Sequence, residues 1–184
     1  MARSEALRRV HRTYEGAHVV AALRAIAIAG GLVALAIGIH GATRVMWLVA
    51  ITLAATLGVL AWRGGAWRRG ALAGVLAGLP PLIVPSIVLA LSSRGHCSGC
   101  TPAAQLACTL ACFGSGSLVG ILVGYRATSD HSPRRFALAA IASGALTGLL
   151  GCGSVGLGGA IGVVIGLVAG GVTGWVVAGR TAHA

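Results

Sequence analysis

The chain has 184 residues, of which 57% are hydrophobic and 9% charged, and its mean hydropathy is +0.91. Soluble domains carry roughly 25% charged residues, so this composition excludes an ordinary soluble globule, a disordered tail and a nucleic-acid-binding domain. The net charge of +11 comes from fourteen arginines, with no lysine, set against Glu5, Glu15 and Asp130. Those arginines stand between apolar runs and read as topology signals rather than as a nucleic-acid patch. Missing Lys and Asn beside abundant Ala, Gly and Arg points to a GC-rich, bacterial genome.

The reading is an all-α, polytopic membrane bundle of six transmembrane helices. Residues 1–16 form a basic cytoplasmic segment, 17–178 the six-helix domain and 179–184 a short cytoplasmic tail. In the first segment Leu7, Val10 and Tyr14 recur at helical spacing with Arg8, Arg9 and Arg12 around them. That pattern suits an amphipathic helix on an anionic leaflet or a docking site for a cytoplasmic protein. The first apolar run reads as a retained span rather than a cleaved signal.

Span 1 covers about Ala17–Ile39, span 2 Val45–Trp62, span 3 Ala71–Leu91 and span 4 Pro102–Tyr125. The run Phe136–Ala178 is too long for one crossing, and its central glycines divide it into span 5, Phe136–Val155, and span 6, Ala160–Ala178. With the N-terminus inside, the inner segments hold twelve arginines and the outer ones only Arg44 and Arg94. This asymmetry orients both termini to the cytoplasm of a bacterial inner membrane. Trp62, Trp67, Tyr125, Phe136 and Trp175 would form the inner aromatic belt.

Span 3 carries Pro80, Pro81 and Pro85. Two adjacent prolines near mid-membrane remove backbone donors and are expected to kink or break the helix. Glycine repeats at intervals of four: Gly116, Gly120 and Gly124 on span 4, and Gly158, Gly162, Gly166, Gly170 and Gly174 on span 6. Gly30, Ala34 and Gly38 do the same on span 1. Such stripes let helix backbones approach closely, either within the chain or between copies in a homo-oligomer. No span contains an acidic residue, which counts against a proton relay or an ion-coupled pump. No hydrolytic triad, phosphate loop or nucleotide fingerprint is present, so an enzyme is not expected.

The chemistry lies in five cysteines, all in the outer half. Cys97 and Cys100 form a Cys-x-x-Cys in the loop before span 4, beside His96. Cys108 lies about 10 Å and Cys112 about 16 Å down span 4, on one helix face, and Cys152 lies at a depth near that of Cys108. Three readings stand. The first is a structural disulfide between Cys97 and Cys100, with the other cysteines as small apolar residues. The second is a redox-sensing or exchanging set, in which Cys152 and Cys108 would bond. The third is a site for a soft metal, Zn or Cu, held by Cys97, Cys100, Cys108, Cys112 and His96. No cofactor is required by any other feature. His40, at the outer end of span 1, reads as an interfacial histidine.

The stretch Ala107–Arg180 carries Cys112-Phe113, a span, a basic inner loop, Ala-Ser-Gly-Ala-Leu-Thr-Gly at 142–148, Leu150-Gly151-Cys152 and a Gly-rich last span. With six spans and both termini inside, it resembles the membrane-embedded anti-sigma factors of the negative-regulator-of-sigma-F type. The resemblance implies that Cys112 and Cys152 match two outer cysteines that matter for signalling, and that a cytoplasmic protein receives the signal. Gly-Cys-Gly stands at 151–153 where that family has a histidine-cysteine-proline style turn, and Cys97-Cys100 lies outside its pattern. The expected function is therefore a non-enzymatic membrane regulator or sensor with redox- or metal-responsive outer cysteines. The runner-up is a small carrier for a soft metal or thiol-reactive solute. A disulfide-exchange enzyme would need a quinone site that the sequence does not display.

Overall fold

The computed structural model describes residues 2–91, 102–152 and 157–181, with side chains described from Glu15 onward except at 85, 86, 88–91, 102–105, 107 and 181. Cys97, Cys100 and His96 lie outside the described residues. Among the described residues, six helices follow one another: α1 (Ala2–His40), α2 (Arg44–Arg63), α3 (Gly65–Leu91), α4 (Pro102–Thr128), α5 (Pro133–Cys152) and α6 (Leu157–Thr181). Among the described residues, five stretches are long and apolar enough to cross a membrane: Glu15–His40, Arg44–Arg63, Cys108–Thr128, Pro133–Cys152 and Leu157–Arg180.

Local chemistry sets the boundaries. Gly41, at φ 78°, closes α1 by donating its N–H to the Ile37 carbonyl at 2.9 Å. Thr43 caps α2, its Oγ1 accepting from the Met46 N–H at 3.2 Å, which satisfies one donor that the helix start leaves unpaired. Gly64 and Gly65, at φ 65° and 54°, turn the chain from α2 into α3 within a single residue; only glycine adopts that left-handed pair without strain. Between α4 and α5, Asp130 Oδ1 accepts from the Ser132 N–H at 3.0 Å, and Pro133 opens α5, a position where its missing N–H costs nothing.

α4 packs chiefly on α6, and α3 on α5. Each of these pairs is parallel, because the contacts advance along both helices together. On α3, a Cβ at Gly70 would strike the Phe136 carbonyl, one at Gly74 the Ala140 carbonyl, and one at Gly78 the Thr147 side chain. On α4, Cβ atoms at Gly116, Gly120 and Gly124 would strike the backbone at Val163, Leu167 and Gly171 in turn. The α6 glycines 162, 166, 170 and 174 lie in the same way against the carbonyls of Thr109, Phe113, Ser117 and Ile121, while Gly158 meets only the Thr109 hydroxyl. Both stripes are thus consumed inside the chain. By contrast, Gly30 and Gly38 have no neighbour within 4 Å.

Buried polar groups are satisfied along the α3–α5 seam. Ser143 Oγ donates to the Ala139 carbonyl at 2.7 Å and lies 3.0 Å from that of Ala71; Thr147 donates to the Ser143 carbonyl at 2.9 Å. The outer surface is apolar, with Leu122 69% and Leu76 66% exposed, as a lipid-facing surface requires.

Two expectations need correcting. α3 is not broken: it stays helical through Pro80, Pro81 and Pro85, and Pro81 is fully buried against α5, so neighbouring helices support the proline turns. Phe136 is 5% exposed, so it belongs to the core beneath Gly70 rather than to an aromatic belt.

At the end of the bundle where the α2–α3 and α4–α5 turns meet, Arg69 grips Asp130 with two hydrogen bonds, Nε to Oδ2 at 3.0 Å and an Nη2 to Oδ1 at 3.2 Å. The Ser132 N–H, and then this guanidinium, hold the Asp130 carboxyl below its usual pKa.

Candidate functional site

Cys112 stands near the middle of α4, and Cys152 is the last residue of α5. Both are fully buried, and they form a disulfide with a Cα–Cα distance of 6.4 Å across a sequence separation of 40. Val163 and Leu167 of α6 belong to the same buried cluster. The bond therefore joins α4 to α5 at the point where the α3–α5 and α4–α6 pairs meet.

This pairing corrects the depth argument that matched Cys152 with Cys108. Counted from the turn shared by α4 and α5, Cys112 lies about 24 Å up α4, Cys108 about 30 Å and Cys152 about 28 Å. The rise per residue does not decide between two cysteines one turn apart, and the bond is made to Cys112. Cys108 remains as the free thiol among the described residues, 3% exposed. A chelate built on Cys108 and Cys112 together is not formed, since the Cys112 sulfur is committed to the disulfide. Among the described residues no three of His, Cys, Asp and Glu stand together as a metal group.

The third wall of the site is α3. Cys152 Sγ lies 3.3 Å from the Pro81 carbonyl oxygen. In an α-helix that oxygen accepts from the N–H four residues on, but residue 85 is proline and has none. The Pro81 carbonyl is thus left without its helical donor, and a cysteine sulfur sits where a donor would. Gly151 makes the approach possible: a Cβ there would come within 2.8 Å of the Pro81 oxygen and closer still to Leu82. One residue further along α3, the Leu82 carbonyl lies 3.5 Å from His40 Nε2, at the end of α1.

Three of the singled-out groups therefore converge: the cysteines of α4 and α5, the prolines of α3 and, at the edge, His40. Gly151 and Leu82 are members that sequence reasoning missed. Gly151 was legible only as a helix breaker, although its place beside Cys152 is what close backbone approach would demand. Pro80 is exposed. The arrangement is a buried disulfide between α4 and α5 with the Pro81 carbonyl of α3 against one of its sulfurs. No family model, no curated protein and no solved structure matches the chain.

Proposed function

We propose that the protein is a non-enzymatic inner-membrane regulator whose Cys112–Cys152 pair responds to oxidation. In this reading six spans place both termini in the cytoplasm and the cysteines toward the outer side, as the distribution of arginines favours. The observation that carries the reading is the disulfide between α4 and α5 set against the donor-deprived Pro81 carbonyl.

Oxidation removes two protons and two electrons from the paired thiols and forms the S–S bond. The electrons pass to a peroxide or to an external disulfide, which is reduced in turn. Reduction restores the Cys152 S–H, which donates to the Pro81 oxygen; oxidation takes that proton away. The two states thus differ in how α3, α4 and α5 are tied together, which is the kind of bistable element a switch requires. The output is read by a cytoplasmic protein at the basic N-terminal segment and the inner loops. In the manner of the anti-sigma factors that the chain resembles, that partner is a transcription factor released or held according to thiol state.

The test is transcript profiling of cells carrying Cys112→Ser or Cys152→Ser, with and without a peroxide pulse. Each replacement is expected to lock the same set of genes on or off and to abolish the peroxide response. An unchanged transcriptome in both variants overturns the regulatory reading.

A further inference from the structure

Between α1, α2 and α3 lies a cleft of about 140 Å³ that nothing in the redox reading uses. Its walls include Ile28, Leu57, Leu72 and Val75 over a floor of four alanines, and its polar lining residues are Arg24 and Arg68. Both arginines are exposed. Arg24 and Arg68 line the same cleft, and Arg68 stands close to the α2–α3 turn, so the two guanidiniums lie together toward that end of the bundle. The chain has only three acidic residues. Asp130 is held by Arg69, and among the described residues no carboxylate pairs with Arg24 or Arg68. From Arg68 the cleft extends along α3 to Val75, about 10 Å toward the middle of the bundle.

We infer that this cleft binds an anionic glycerophospholipid, with the phosphate between Arg24 and Arg68 and the start of an acyl chain against Ile28, Leu57, Leu72 and Val75. The occupant follows from the walls. Two guanidiniums with no carboxylate on them among the described residues call for an anion. An apolar trough leading away from them, open to the surface of a membrane-spanning bundle, calls for that anion to carry a hydrocarbon tail. The site rests on the chain lying in a bilayer and is independent of the thiol chemistry, so the two proposals fail separately.

The experiment is native mass spectrometry of the full-length protein released from mixed micelles. Phosphatidylglycerol, phosphatidylcholine and inorganic phosphate are offered in separate arms. Phosphatidylglycerol is expected to be retained in preference to phosphatidylcholine, and inorganic phosphate not to be retained. Arg24→Gln and Arg68→Gln should each weaken retention about fivefold and the pair about 25-fold, while Arg180→Gln leaves it unchanged. Should the double variant fail to elute as a folded monodisperse species, two further variants decide. Arg24→Lys combined with Arg68→Lys should hold lipid within about twofold of wild type, and Leu72→Trp, which fills the exposed trough, should reduce retention. Equal retention of the two lipids, unaltered retention in the arginine variants, or phosphate binding alone overturns the inference.

Discussion

Cys152 Sγ and the Pro81 carbonyl oxygen stand 3.3 Å apart, across the seam between α5 and α3. Pro85 makes that distance consequential, because it denies the oxygen the backbone donor it would otherwise have. Pro85→Ala supplies the missing N–H and leaves the Cys152 thiol without a privileged acceptor. The dithiol state then loses about 0.5–1 kcal/mol. The disulfide becomes harder to reduce, and the midpoint potential moves negative by about 10–20 mV. Titration of the purified protein in redox buffers, read by thiol alkylation, checks the sign.

The disulfide itself closes a loop of 40 residues, which corresponds to about 4 kcal/mol in the chain-entropy treatment. Cys112→Ser and Cys152→Ser are expected to lose a similar amount of stability in detergent, read as a lower thermal midpoint. Reductant should do the same to the wild type and nothing further to the variants. Cys108→Ala, which spares the bond, keeps the sensitivity to reductant. Thermal melts with and without dithiothreitol distinguish these outcomes.

Close approach of backbones at Gly74 and Gly120 gives a sharp prediction about alanine. A methyl group at either position would enter a facing backbone carbonyl, and such overpacking costs about 1–3 kcal/mol. Gly30→Ala, which meets nothing within 4 Å, should change stability by less than about 0.5 kcal/mol. If Gly120→Ala melts like the wild type, the α4–α6 seam is looser than its glycines indicate.

Asp130 predicts a pH dependence. Its folded pKa lies below the ordinary aspartate value, first through the Ser132 N–H and then through Arg69. A depressed carboxylate stabilises the folded state above its unfolded pKa, and that contribution is lost as pH falls through the folded value. The stability difference between wild type and Asp130→Asn should therefore be full at about pH 5 and shrink toward about pH 3. A difference that stays constant across this range would remove the charge from the account of the α4–α5 turn.

Much of this protein was legible before any coordinates. Apolar length and arginine punctuation placed α2 and α4 to within about three residues, and the glycine cluster at 151–159 placed the division between α5 and α6. These features are local: a span needs a certain run of apolar residues whatever surrounds it, and a capping threonine or a turn glycine acts within a few residues. The four-residue glycine spacing likewise announced close packing, though not which helix would fill each stripe.

What the sequence by itself determined, then, is the class of the molecule: an all-helical chain with membrane-crossing segments, a basic end and a cysteine-bearing end. Only the tertiary structure decided that α3 lies on α5 and α4 on α6, that Cys112 rather than Cys108 meets Cys152, and that the Pro81 carbonyl faces that sulfur. The physical reason is that spacing along a helix fixes depth and face to about one turn, whereas a covalent bond or a hydrogen bond depends on tilt and rotation to within about an ångström. Those last degrees of freedom are set by how the glycine stripes seat the helices on one another, and that is a property of the packed bundle rather than of any one segment.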